Sequence, residues 1–140
     1  MMITKSNREI VESVYEAVGE RNVHPERGIS IGDVDYLRRI FAEDIEWIHP
    51  ALGGTFYGVD EVINEVLIPF WETWEVTLDS PRFVEDGDTI VVLATYRATY
   101  IPTGKPVEEP VAHAWDLMDG KIVRLHQYVD TASIKKQMEA

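Results

Sequence analysis

The sequence predicts an α+β domain, a curved antiparallel sheet wrapped around N-terminal helices with a conical cavity between them. Three observations carry that expectation. Apolar residues recur at helical spacing in the first half of the chain, whereas from Val76 onward they alternate with a period close to two. The alternating runs are separated by Glu85-Asp86-Gly87-Asp88, Pro102-Thr103-Gly104-Lys105 and Asp119-Gly120, all of them turn signals. The last turn makes a hairpin of Val111 to Asp130, whose first arm carries His113, Trp115 and Leu117 on one face. A histidine beside an indole on an otherwise apolar face suggests a pocket floor. Helices first and a meander afterwards pack as helices over one sheet face. A sheet that curls around a helix leaves room for a small, largely apolar molecule.

The elements follow in order. Asn7 can cap a helix carrying Ile10, Val11, Val14, Tyr15 and Val18 on one stripe. Arg21 to Gly32 holds Pro25, Gly28 and Gly32 without a sustained period and reads as a loop. Asp33 starts a second helix with Val34, Leu37, Ile40 and Phe41 inward. Ile45, Trp47 and His49 alternate as a short strand, and Ala51 to Gly58 is a glycine-rich connection. Val62, Ile63, Val66 and Leu67 have helical spacing, which Pro69 should kink or break. Strands over Val76 to Val84 and Thr89 to Ile101 lead into the hairpin, and Asp130 with Ser133 can start a C-terminal helix.

Composition bounds the function. The 140 residues make one domain, 1–140, large enough to bury a core. The absence of cysteine excludes disulfides, thiolate nucleophiles and Cys-ligated metals. Twenty-five acids against thirteen bases give a net charge of −12, which repels nucleic acid and anionic membranes. No apolar run reaches membrane-spanning length and the N-terminal residues are polar, so a cytoplasmic protein is expected. Neither a ligand cluster nor a phosphate loop is present, so no metal and no cofactor are expected. The Glu108-Glu109 pair reads as an exposed turn, and His24, beside Pro25, as solvated.

His49 and His113 are candidate acid/base groups, because imidazole titrates near neutral pH. Each is equally readable as a satisfied strand residue. Tyr15 is either a core aromatic with a locally satisfied hydroxyl or a donor into the cavity. Trp47, Trp71 and Trp115 are walls, as packing or as a ligand surface. Gln127 shares strand parity with Val123 and Leu125, which points it inward, with His113 as a candidate partner. His126 and Tyr128 fall on the opposite face, with Ile122 and Arg124. Asp130 is a helix cap or a carboxylate at the cavity mouth.

Four pieces in order carry a resemblance: Phe41-Ala-Glu-Asp-Ile-Glu-Trp-Ile-His-Pro50, Tyr57-Gly-Val-Asp-Glu-Val62, His113-Ala-Trp-Asp-Leu-Met-Asp-Gly-Lys-Ile122 and Tyr128-Val-Asp-Thr131. Together, over roughly Arg8 to Ile134, the chain resembles the ketosteroid isomerase-like, or nuclear transport factor 2-like, superfamily and its SnoaL-like group. The resemblance implies a cone-shaped, cystatin-like barrel. It implies that Tyr15 and His49 face the cavity, since ketosteroid isomerases place a hydrogen-bonding tyrosine and a proton-shuttling aspartate at those positions and a protonated aspartate near that of His113. SnoaL-like polyketide cyclases carry a histidine at the same distance before Asp-Gly-Lys. Their catalytic aspartate falls on Gln127 here, which cannot take and return a proton near neutral pH. Scytalone dehydratase-like members, which use histidine and tyrosine, are nearer in chemistry. The superfamily also implies a homodimer through the sheet face carrying His126 and Tyr128.

The functional expectation is a small hydrophobic ligand, bound by a cofactor-independent isomerase, dehydratase or cyclase that acts on a carbonyl or polyketide-like compound. His49 would be the base, with Tyr15 and His113 on the developing enolate oxygen. The alternatives are a non-catalytic ligand binder and a dimeric interaction module of the same fold.

Overall fold

The computed structural model describes residues 5–19, 22–23 and 30–139. Helix α1, Asn7–Gly19, lies against the sheet through Ile10, Val11, Val14 and Ala17. Its cap is Ser6 rather than Asn7. The Ser6 hydroxyl accepts from the Glu9 backbone N–H at 3.1 Å and Glu9 accepts from the Ser6 N–H at 3.0 Å, a reciprocal capping box. Asn7 reaches instead to Asp88 in a distant turn, at 3.1 Å. The segment read as a loop contains a short antiparallel pair, β1, Asn22–Val23, with β2, Ser30–Ile31. His24 lies outside the described residues. Helix α2, Val34–Ile40, is capped by Asp33, which accepts from the Tyr36 N–H at 3.1 Å.

Strand β3, Phe41–His49, is followed by a 3₁₀ turn, Pro50–Leu52, and β4, Gly54–Tyr57, so the expected glycine-rich connection is in part a strand. Next comes one helical run in three parts: α3, Val59–Glu61, a π-helical segment, Val62–Leu67, and α4, Ile68–Thr73. Pro69 neither breaks nor ends it. A proline lacks its N–H and crowds the carbonyl four residues earlier, and the wider π turns just before it accommodate both effects.

The rest is a meander: β5, Trp74–Asp86, β6, Thr89–Tyr100, β7, Lys105–Met118, and β8, Lys121–Val129. The β7–β8 turn has Asp119 at φ 52° and Gly120 at φ 78°, the left-handed pair that a tight hairpin with right-handed twist requires. Helix α5, Thr131–Met138, follows β8, with Asp130 accepting from the Ser133 N–H at 2.9 Å. Glu108 and Glu109 lie in β7 rather than in a turn. Glu109 holds α5 through Ser133 and Gln137, and Glu108 pairs with Arg97.

The six large strands form one curved, open sheet in the order β4-β3-β8-β7-β6-β5. It is α+β as expected. The sheet is not purely antiparallel, because β3 and β8 run parallel, with Trp47 beside Leu125 and Ile48 beside His126. Such a pairing needs a long crossover, which the helices and the meander supply. A bulge in the hairpin shifts the parity of β8: Ile122, expected outward, is fully buried, and Val123 is not. Beyond the bulge, Leu125 and Gln127 point inward as expected.

Candidate active site

Helix α1, the helix pair around Pro69 and the concave sheet face enclose a cavity of about 520 Å³. Volumes of this order, roughly 300–1,000 Å³, are usual for small-molecule sites. Its walls are mainly apolar, among them Val14, Val66, Leu67, Phe70, Leu78 and Phe83. Trp71 stands at one side, its indole N–H donating to the Val18 carbonyl at 3.0 Å. Gly32 makes that approach possible, because a Cβ there would lie 2.5 Å from both the Ala17 carbonyl oxygen and the Trp71 ring.

The polar floor centres on His113, which β7 sets directly opposite Gln127 of β8. Both are buried, at 6% and 4% exposure. The Tyr15 hydroxyl, from α1, lies 2.7 Å from His113 Nδ1, and the Tyr96 hydroxyl, from β6, lies 2.9 Å from Nε2. Each phenol oxygen also accepts one fixed N–H: Trp115 Nε1 donates to Tyr15 at 2.9 Å, and Gln127 Nε2 donates to Tyr96 at 3.0 Å. Gln127 Nε2 is 3.5 Å from His113 Nε2, so the two are joined mainly through Tyr96. The other amide atom, Gln127 Oε1, is buried with no protein partner.

Burial decides the charge states. It pushes the His113 pKa down to about 3, with a further contribution from His49. It likewise raises both phenols well above the ordinary tyrosine value, against the donors that favour their ionisation. The floor is therefore neutral at physiological pH.

His49, at the end of β3, also lines the cavity, and burial holds its pKa down to about 4. Trp47 Nε1 donates to its Nδ1 at 3.2 Å. An indole N–H can only donate, so the neutral His49 ring carries its proton on Nε2. This changes the role expected for His49. It offers the cavity a donor rather than the lone pair of a base.

The structure thus brings together Tyr15, Trp47, His49, Trp71, His113, Trp115 and Gln127 around one cavity. Trp115 stands edge-on to Tyr15, at 5.7 Å between ring centroids, and edge-on to Trp47, also at 5.7 Å. Asp130 does not join them: it is an exposed helix cap and not part of the cavity wall. The residue that sequence reasoning missed is Tyr96. Strand parity gives it the same face as Ile90 and Val92, both buried, but in register it stands opposite Glu109, four residues along β6 from the partner of His113. Sheet curvature carries its hydroxyl back to the imidazole. Among the described residues, no group of three His, Cys, Asp or Glu comes together to hold a metal, and no helix is long and apolar enough to cross a membrane.

A model of the SnoaL-like domain matches residues 11–125. The chain belongs to that family. Among solved structures, this SnoaL-like chain is similar to a nuclear transport factor 2-like protein from Burkholderia xenovorans LB400, with 26% identity, TM-score 0.80 and coverage of 99% of this chain and 100% of that one. A nuclear transport factor 2-like protein from Burkholderia thailandensis E264 matches at 28% identity, TM-score 0.78, covering 98% and 100%. TerC, co-crystallised with polyporic acid, matches at 25% identity and TM-score 0.74, covering 96% and 98%. No curated protein matches the chain.

Proposed function

We propose that this SnoaL-like protein binds a small, neutral, hydrophobic carbonyl compound of polyketide-like character and acts on it as a cofactor-independent isomerase or lyase. The observation that carries this reading is a neutral imidazole held between two tyrosines at the floor of a largely apolar cavity. A phenolic O–H aimed into a low-dielectric pocket stabilises a developing enolate oxygen far better than it would in water. His49, with its proton on Nε2, adds a neutral electrophile of the kind that polarises a carbonyl. Among the described residues the charged side chains lining the cavity are Glu12 and Glu16, and the chain carries a net charge of −12, so a neutral ligand is favoured over an anion. Co-crystallisation of TerC with polyporic acid supports ligand binding by proteins similar to this one.

2-Naphthol at about 100 times its dissociation constant should stabilise the protein by about 2.7 kcal/mol, whereas 2-naphthoate should leave the melting temperature unchanged. Equal effects would remove the charge argument. For any demonstrated turnover, full kcat/KM in His49→Ala and His113→Ala would refute the catalytic assignment and leave a ligand binder. Gln127 favours that second reading, because it stands where a cyclase would need a carboxylate.

A homodimer through the outer sheet face belongs to the same proposal. Ile48, His126, Ala114 and Val91 lie in one cross-strand row on that face, flanked by the exposed Tyr128. Sedimentation should show a dimer that Ala114→Arg converts to a monomer, and a wild-type monomer would remove the proposal.

A further inference from the structure

We propose that Tyr96 is a second catalytic residue, and that Tyr15, His113 and Tyr96 relay a proton across the imidazole so that a bound neutral ketone becomes its enol, whose new hydroxyl is accepted by Gln127 Oε1. This deepens the ligand reading above and rests on it.

A neutral imidazole has one N–H and one lone pair, and here each nitrogen faces a phenol. One tyrosine must therefore donate to the ring while the other accepts from it. Each phenol oxygen already takes a fixed N–H, from Trp115 or from Gln127. In either tautomer one phenolic proton is committed to the ring and the other is free for the cavity. Moving the imidazole proton from one nitrogen to the other exchanges the two roles.

The chemistry balances without a cofactor. In the starting tautomer, Tyr15 donates to Nδ1, the Nε2–H donates to Tyr96, and the Tyr96 O–H donates to the ketone oxygen. As the α C–H bond breaks, its proton goes to the Tyr15 oxygen and its electron pair becomes the new C=C bond. The Tyr15 proton passes to Nδ1, the Nε2 proton to Tyr96, and the Tyr96 proton to the substrate oxygen, which receives the carbonyl π pair. The protein ends in the other tautomer and no residue carries a net charge. Concerted transfer suits this floor, where burial disfavours both imidazolium and phenolate.

Gln127 Oε1 gives the relay a direction. As a buried acceptor without a partner, it has nothing to offer a ketone oxygen. Once that oxygen is protonated, Oε1 accepts its hydrogen. The contact arises only as the enol forms, which is where binding energy accelerates a reaction.

The probes are 2-tetralone, whose α-hydrogens are read by deuterium incorporation, and 2-naphthol, a stable mimic of its enol. Wild type should accelerate the exchange. Tyr15→Phe and Tyr96→Phe should each lower kcat by roughly 10²-fold or more with KM little changed, and the double variant should be no slower than either single one, because the groups act as a unit. 2-Naphthol should bind more tightly than 2-methoxynaphthalene, and Gln127→Leu should erase that difference. The His113 contribution is read on wild type alone: the rate should depend non-linearly on deuterium fraction in mixed water, and a straight line would overturn the relay even if a tyrosine variant failed to fold. Binding of both probes with wild-type exchange in Tyr96→Phe, or with no exchange in wild type, sinks the relay and spares the ligand reading. Failure of either probe to bind sinks both.

Discussion

Histidines on opposite faces of the same hairpin each meet tyrosine, and their difference shows what makes an imidazole useful. On the outer face, His126 stacks on Tyr128 at 4.1 Å and shares a 3.1 Å hydrogen bond with its hydroxyl, while Tyr128 remains 54% exposed. Water can replace that contact at little cost. On the inner face, His113 is buried, both nitrogens face phenols, and each phenol is itself held by a fixed donor. The residue types are alike, but only the inner imidazole is held at both nitrogens by buried partners drawn from other elements.

Substitution separates the two faces. His113→Ala should cost the most, about 2–5 kcal/mol, because it opens a void and leaves buried hydroxyls short of a partner. His126→Ala should stay within about 0.5 kcal/mol in the monomer. Urea unfolding of both variants decides the matter, and equal losses would mean that burial is not what separates the pairs.

Acid acts on the buried imidazoles. The folded-state pKa values of His49 and His113 are held down to about 4 and about 3, below the ordinary histidine value. The unfolded chain therefore binds protons first as pH falls. The stability from these neutral rings is complete above about pH 6.5 and is lost as pH falls toward the folded values. Each ring contributes a slope of up to about 1.4 kcal/mol per pH unit in that window. His113→Phe should remove about half of the histidine-dependent slope, read by urea unfolding across that pH range.

A more modest loss is expected at Asp130. As a cap of α5, Asp130→Ala should cost about 1 kcal/mol and leave affinity for 2-naphthol unaltered. A weakened affinity would return this carboxylate to the cavity mouth, where the structure does not place it.

Much of the site was legible in residue order. Period-two alternation put His113, Trp115 and Gln127 on one face, and Trp47 with His49 on the face of a second strand. Tyr96 was not legible, because strand parity gives a face but not a reach, and only sheet curvature carries its hydroxyl to an imidazole several residues away in register. The bulge that turns Ile122 inward was hidden for a related reason: one extra residue in a ladder reverses parity without any marker in composition. The protonation of His49 depended on Trp47, two residues away, but that their rings meet at Nδ1 is a matter of rotamers.

Order along the chain accounts for what depends on close neighbours: the helix stripes, the caps at Asp33 and Asp130, the hairpin turn, the inward placing of His113 and Gln127 and the α+β class that follows from them. The tertiary structure decided what depends on distant groups meeting. These are the parallel join of β3 to β8, the open edge of the sheet, the uninterrupted helix through Pro69 and the joining of Tyr15, His113, Tyr96 and Gln127 into one network. The division has a physical origin. Periodicity and capping are set within a few residues, whereas proton positions and pKa values are set by burial and by partners up to 100 residues apart in the chain.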